Sequence, residues 1–171
     1  MGRVWRYSLT IIGGFLGLSL SNATLLGLLA TSPCSAQSVY SYSADANGTP
    51  SALVTDSKTG LTWQRCSVGQ SFAASTCSGT ASTYTHEQAL AYANTQTGWR
   101  LPSVKELSSL VDISVIGPAI NGTAFPATPT YYAWASSPYA SDPTSAWVVY
   151  FTDGSVSVSS RSNSYHVRLV R

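Results

Sequence analysis

The sequence predicts a single α+β domain behind an N-terminal export segment. Two observations carry the fold class. Apolar and polar residues alternate with period two at Leu61–Arg65 and again at Val156–Ser159, as they do in half-buried strands. Between these stretches lie two S/T-x-x-E/Q signatures, Thr85 to Gln88 and Ser103 to Glu106, each the start signal of a helix. With 171 residues and 18.0 kDa the chain is long enough for one domain with its own core.

The first segment stands outside that fold. Arg3 and Arg6 precede an uncharged stretch from Leu9 to Ala30, and Cys34-Ser35-Ala36 follows. A basic start, an apolar middle and a small-x-Ala ending make a secretory signal peptide, residues 1–36, cleaved after Ala36. The alternative is a membrane anchor, since spanning takes roughly 20 apolar residues. Ser19, Ser21, Asn22, Thr24 and several glycines dilute the stretch, and the cleavage site decides for the signal. Pro33 stands before Cys34, where a lipoprotein needs a small residue. The expected product has no stable membrane span and is periplasmic or extracellular, with the cell surface included.

Cleavage also resets the charge. Of nine Lys and Arg residues, Arg3 and Arg6 are lost and seven remain, against seven Asp and Glu that all lie after residue 36. The mature domain is formally neutral. It lacks the basic footprint of a nucleic-acid partner.

Each element can then be justified in order. Residues 37–51 are polar and turn-rich and read as a lead-in, with the domain proper at 52–171. Ala52–Thr55 and Leu61–Arg65 flank an Asp-Ser-Lys-Thr-Gly turn and read as a hairpin. Cys66 and Cys77 follow, an even pair in an exported chain. Their spacing fits neither CxxC redox chemistry nor a zinc knuckle, so a structural disulfide is expected. The first helix begins at Thr85, with His86, Ala89, Leu90 and Ala93 on one face. The second begins at Ser103 behind Pro102, with Val104, Leu107, Leu110 and Val111 as its buried stripe. Gly98–Pro102 between them reads as a short buried strand or crossing. Ile113–Tyr132 reads as a long loop, of a length that is often functional in a compact domain. Ala146–Phe151 and the segment from Ser155 read as a hairpin about Asp153-Gly154. In it, Ser155, Ser157 and Ser159 form the outward half of the pattern, and Val156 and Val158 the inward half. Val167–Val170 closes the chain as an apolar segment.

These residues resemble a known family. TGLTWQRC (59–66), CSG (77–79), YTHEQAL (84–90), GWRLPSVKELSSLVD (98–112), AINGTAFP (119–126), SSPY (136–139), AWVVYF (146–151) and YHVRLVR (165–171) resemble the bacterial Lcl C-terminal domain family, most of whose members are domains of unknown function. The resemblance implies a C-type lectin-like fold, with two helices packed on a twisted, mostly antiparallel sheet. The name-giving member is an adhesin for sulfated polysaccharides. The EPN, QPD and WND triplets of calcium-dependent lectins are missing from the sequence, so the resemblance does not carry a calcium site. Related enzymes that make formylglycine need reactive cysteines or copper, and both mature cysteines here are committed to the expected bridge.

The expected binding face follows from the C-terminal residues. Ser155, Ser157, Ser159, Asn163 and Tyr165 belong to the alphabet of antibody loops, in which tyrosine gives rigid contact area and Ser and Asn give adaptable hydrogen bonds. Tyr131, Tyr139, Arg161 and His166 complete the candidate set. Tyr131 and Tyr139 are expected at the surface, and Trp134 in the core. Trp63, Trp99 and Trp147 are all expected in the core. Arg168 is expected to point outward from a strand, and Arg161 to fix a loop. Neither a nucleophile elbow nor a carboxylate pair accompanies His86 and His166, so no enzyme, metal or cofactor is expected. The expected partner is a polysaccharide or a cell-surface protein; the alternative is a structural or assembly subunit of an envelope complex that binds a protein partner.

Overall fold

The computed structural model describes residues 40–44 and 50–171. The signal-peptide reading of residues 1–36 lies outside the described residues. These described residues pack as one compact unit. Among the described residues the fold is mixed α+β, with two helices, mostly antiparallel sheets and one disulfide.

The first sheet has the order β1 (Tyr40–Ala44), β2 (Pro50–Asp56), β3 (Thr62–Gln64). β1 lies within the segment read as a lead-in. It pairs antiparallel with β2, and the Tyr40 ring meets Phe125 edge-on at 5.3 Å. The β2–β3 hairpin forms where the sequence places it. Asp56 caps its turn by accepting from Lys58 N and Thr59 Oγ1, both at 2.9 Å. The bridge Cys66–Cys77 then closes around a small hairpin, β4 (Ser71–Ala73) with β5 (Thr76–Ser78).

After β6 (Thr83–Tyr84) come α1 (His86–Thr95) and α2 (Val104–Ser108). Both capping boxes close as their spacing requires: Thr85 with Gln88, and Ser103 with Glu106. α2 is a short helix of five residues, and Leu110 is buried in the turn that follows it. Gly98–Pro102 is a crossing, tied to the C-terminal segment by an Arg100–Val170 bridge.

The main sheet has the order β6-β10-β7-β8-β9, with β7 (Tyr132–Pro138), β8 (Ser145–Tyr150), β9 (Ser155–Ser160) and β10 (Tyr165–His166). Only the β10–β7 contact is parallel among its pairings. Both faces of its centre are buried. One packs with Trp63, Leu107, Leu110, Phe125 and Val149, the other with Ala89, Leu101, Trp134, Val148 and Leu169. The β8–β9 connection is longer than the two-residue Asp-Gly turn of the sequence reading. Tyr150 pairs with Ser155, so four residues intervene, and Gly154 takes the positive φ of +83°.

Three expectations are corrected. Val156 and Val158 do not face inward: they are 43 % and 38 % exposed, because β9 is the sheet edge and lies beyond the layers that cover β7 and β8. Arg168 does not point outward. It is 2 % exposed, in a run from Val167 to Val170 that is buried at every position. This segment lies against residues 62–68 through Val68 N to Val167 O and Gln64 N to Leu169 O, which leaves no solvent side for alternation to use. Of the tryptophans expected in the core, Trp63 is buried, but Trp99 and Trp147 are half-buried. The Arg171 guanidinium covers the Trp99 ring at 4.8 Å.

Candidate functional site

Strand register decides which side chains meet. Tyr132, Tyr150 and Ser155 form one cross-strand row, and Trp134, Val148 and Ser157 form the next row on the same face. Ala146 and Ser159 continue it. The three serines therefore share a face with Tyr132, Tyr150 and Trp134. Ser155 and Ser157 are exposed and Ser159 is half-buried.

Four tyrosine rings gather on this face. Tyr132 stacks on Tyr150 at 4.4 Å, and Tyr165 leans on Tyr132 and on Trp134, both at 5.0 Å. Tyr131 stands edge-on to Tyr132, Tyr150 and Tyr165 and is 49 % exposed. Trp134 is the buried floor, fixed by its Nε1–H donating to Tyr84 O at 2.8 Å. Loss of solvent raises the Tyr132 phenol above its ordinary pKa, and Tyr150, Tyr165, Tyr131 and Asp153 add to the rise. Tyr132 is therefore a neutral donor across the physiological range.

A polar rim borders the rings. Ser159 Oγ and Tyr165 Oη share a hydrogen bond of 2.9 Å. The Asn163 amide donates to Ser159 Oγ at 2.9 Å and to Tyr165 Oη at 3.3 Å. Ser160 and Ser162 hydroxyls are 2.9 Å apart in the turn that carries Asn163. Rigid ring faces with adjacent amide and hydroxyl groups are suited to ligands that have an apolar face and polar edges.

Other candidates lie elsewhere. Tyr139 meets Trp147 edge-on at 5.5 Å. Trp147 alternates with Val148 along β8, so Tyr139 is on the opposite face from the tyrosine cluster. His166 pairs with Ala133, its Nδ1 lies 3.3 Å from Ser82 O, and burial lowers its pKa. Arg161 follows β9 and reaches Pro143 O at 3.5 Å. Asp153 precedes β9 and accepts from Ser155 N at 2.9 Å. Arg161 and Asp153 are held at opposite ends of β9, a strand about 20 Å long at the usual rise. The structure thus does not bring Asp153, Arg161 and His166 together.

His86 is fully buried beside Trp134, edge-on to the indole with ring centroids 5.1 Å apart. Its Nε2–H donates to Ala135 O at 3.0 Å, since a carbonyl can only accept. Burial first, and the Arg161 charge after it, lower its pKa, while the bond to Ala135 opposes them, so the ring is neutral. Among the described residues no three of His, Cys, Asp and Glu gather as metal ligands would.

The candidate binding set drawn from the sequence leaves out Tyr132 and Tyr150. Their alternation marks them as one face of a strand each, but their stacking depends on a register between strands eighteen residues apart, which no local signal supplies.

The disulfide is consistent with an exported domain. Among the described residues no helix is long and apolar enough to cross a membrane. A family model described as the Lcl C-terminal domain matches residues 52–171. No curated protein and no solved structure matches the chain.

Proposed function

The chain belongs to the Lcl C-terminal domain family, and from that premise we propose that it is an exported, non-enzymatic recognition domain that binds carbohydrate without calcium, as an adhesin does. The ligand sits on the face formed by Tyr131, Tyr132, Tyr150 and Tyr165, with Ser155, Ser157, Ser159 and Asn163 at its edge. The single observation that supports this reading is the ring cluster itself: packed aromatic faces, open at Tyr131, beside an interlinked Ser–Asn–Tyr rim. Sugar rings present C–H faces to aromatic rings and hydroxyls to such a rim. The scattered positions of Asp153, Arg161 and His166 support a binding role over a catalytic one.

A second reading is supported by a different feature. The loop after α2 holds Ile113 and Ile116 at 86 % and 82 % exposed, an apolar tip that fits a protein partner in an envelope assembly.

The test is a glycan and glycosaminoglycan array probed with oxidised residues 37–171, with and without calcium. Calcium-independent binding to a defined glycan class is expected. A blank array would overturn the carbohydrate reading and leave the protein partner.

A further inference from the structure

β9 ends the main sheet, and among the described residues no strand pairs with its outer side. The ladder fixes which backbone groups that side carries. Arg161 N–H donates to Thr144 O, and 144 and 161 continue the β8–β9 register, so they are a hydrogen-bonded pair. Such pairs recur at every second residue of an antiparallel ladder. Ser159, Ser157 and Ser155 therefore spend their backbone groups on β8. Val156, Val158 and Ser160 turn theirs outward.

Native proteins protect such an edge with a lysine, a proline, a bulge or a cover. β9 reads Ser-Val-Ser-Val-Ser-Ser, unbroken in its register with β8 and with no charge, glycine or proline. Its valines are exposed as well. The strand is an open template for another strand.

The sequence of the edge selects the occupant. Two copies of β9 placed antiparallel about a two-fold axis at Ser157 set Val156 against Val158 of the second copy, twice. Ser155 then faces Ser159 twice, and Ser157 faces its own copy. Every outward backbone group of Val156 and Val158 meets an outward group, as the ladder requires. Valines meet on one face and serines on the other. With seven basic and seven acidic residues after residue 36, two copies carry no net charge to hold them apart. We infer that the mature domain forms a two-fold dimer through β9, joining two five-stranded sheets into one of ten strands.

This dimer deepens the binding reading without depending on it. The serine face of β9 is the face of the tyrosine cluster, so both clusters open on one continuous surface. Two sites on one rigid body suit a repeating polymer, for which the second contact forms at high effective concentration.

The experiment uses oxidised residues 37–171, a span that contains all the described residues of the compact unit. Sedimentation velocity across a dilution series is expected to show reversible doubling of mass. Val158→Pro removes an outward N–H that β8 does not use, and an edge strand tolerates proline in that orientation. This variant is expected to be monomeric at every dilution, with an unchanged circular dichroism spectrum. Val158→Lys guards against a folding defect and is expected to be monomeric too. Ser157→Cys is expected to cross-link to its own copy under mild oxidation, because facing residues of a non-hydrogen-bonded pair lie within disulfide reach. Ser155→Cys faces Ser159 and is expected to cross-link far less. A wild type that stays monomeric throughout, or a dimer that both Val158 variants and the cysteine pattern leave unexplained, would overturn the inference. Glycan binding by a monomeric Val158→Pro would still support the recognition face, so the two readings fail separately.

Discussion

Arg168→Ala is expected to be among the most destabilising single changes in the domain. The guanidinium is 2 % exposed, and all its hydrogen-bond partners are uncharged: Gln64 O at 2.9 Å, Arg65 O, Thr128 Oγ1 at 2.8 Å and Ser67 Oγ at 3.4 Å. The Phe125 ring lies 4.9 Å below it. Burial pulls its pKa down to about 9, which still leaves it charged at neutral pH. Alanine would strand the buried carbonyl of Arg65 at about 1–3 kcal/mol, remove the bond that Thr128 Oγ1 accepts while it still donates to Phe125 O at 2.8 Å, and open a void against Phe125. Removing the desolvated charge returns part of that. The expected net loss is about 3–5 kcal/mol, a large share of a typical domain's stability. Lysine would recover less than half, because a single ammonium cannot span carbonyls and Thr128 as the planar fork does. Urea unfolding followed by the fluorescence of buried Trp63 and Trp134 is the assay. A loss of less than about 1 kcal/mol for Arg168→Ala would refute the reasoning, since it would mean that burial of the charge cancels its hydrogen bonds.

Three further perturbations probe other contacts. Arg100 grips Glu106 at 2.6 and 2.7 Å and holds its carboxyl down to about 2, with Ser103 helping against the opposing effect of burial. The folded value lies below the unfolded one, so this stabilisation is complete above pH about 4.5 and fades as pH falls toward about 2. Glu106→Gln is expected to cost about 1–2 kcal/mol at neutral pH, discounted for the half-exposed Arg100, and to flatten the acid side of a stability–pH curve. Cys66→Ser with Cys77→Ser opens a loop of sequence separation 11 and is expected to cost about 2–3 kcal/mol by calorimetry; no change would show that the β4–β5 hairpin holds itself. Gly154→Ala sets a Cβ 2.4 Å from Val111 Cγ1 at φ +83°, whereas Gly60→Ala at φ +71° meets nothing within 4 Å. Thermal unfolding is expected to cost Gly154→Ala about 1–3 kcal/mol more than Gly60→Ala; equal losses would leave the clash without effect.

Legibility in the sequence tracks the range of the physical cause. Both capping boxes were readable because Thr85 with Gln88 and Ser103 with Glu106 are each one helical turn. The bridge was readable because Cys66 and Cys77 are the two cysteines after residue 36 and allow one pairing. The Ser–Val alternation of β9 was readable, but its place at the sheet edge was not. That place depends on strand order, and it turns the inward valines into exposed ones. Arg168 misled for a similar reason. Alternation assumes one wet face, and residues 167–170 have none. In the candidate site, the serines, Asn163, Tyr165 and Tyr131 were marked by composition. Tyr139 was separated from them by the alternation of β8, and Tyr132 and Tyr150 were joined to them by register.

The central claim is that the tyrosine cluster and its Ser–Asn rim are where the domain meets its ligand. The most direct test compares the wild type with a Tyr165→Ala/Asn163→Ala double variant on the same glycan and glycosaminoglycan array, in chelator, after circular dichroism has shown both to be folded. The account predicts calcium-independent binding by the wild type and a loss of about tenfold or more in the variant, the scale of one lost stacking contact. Equal binding by the two proteins would contradict it and move the site off this face.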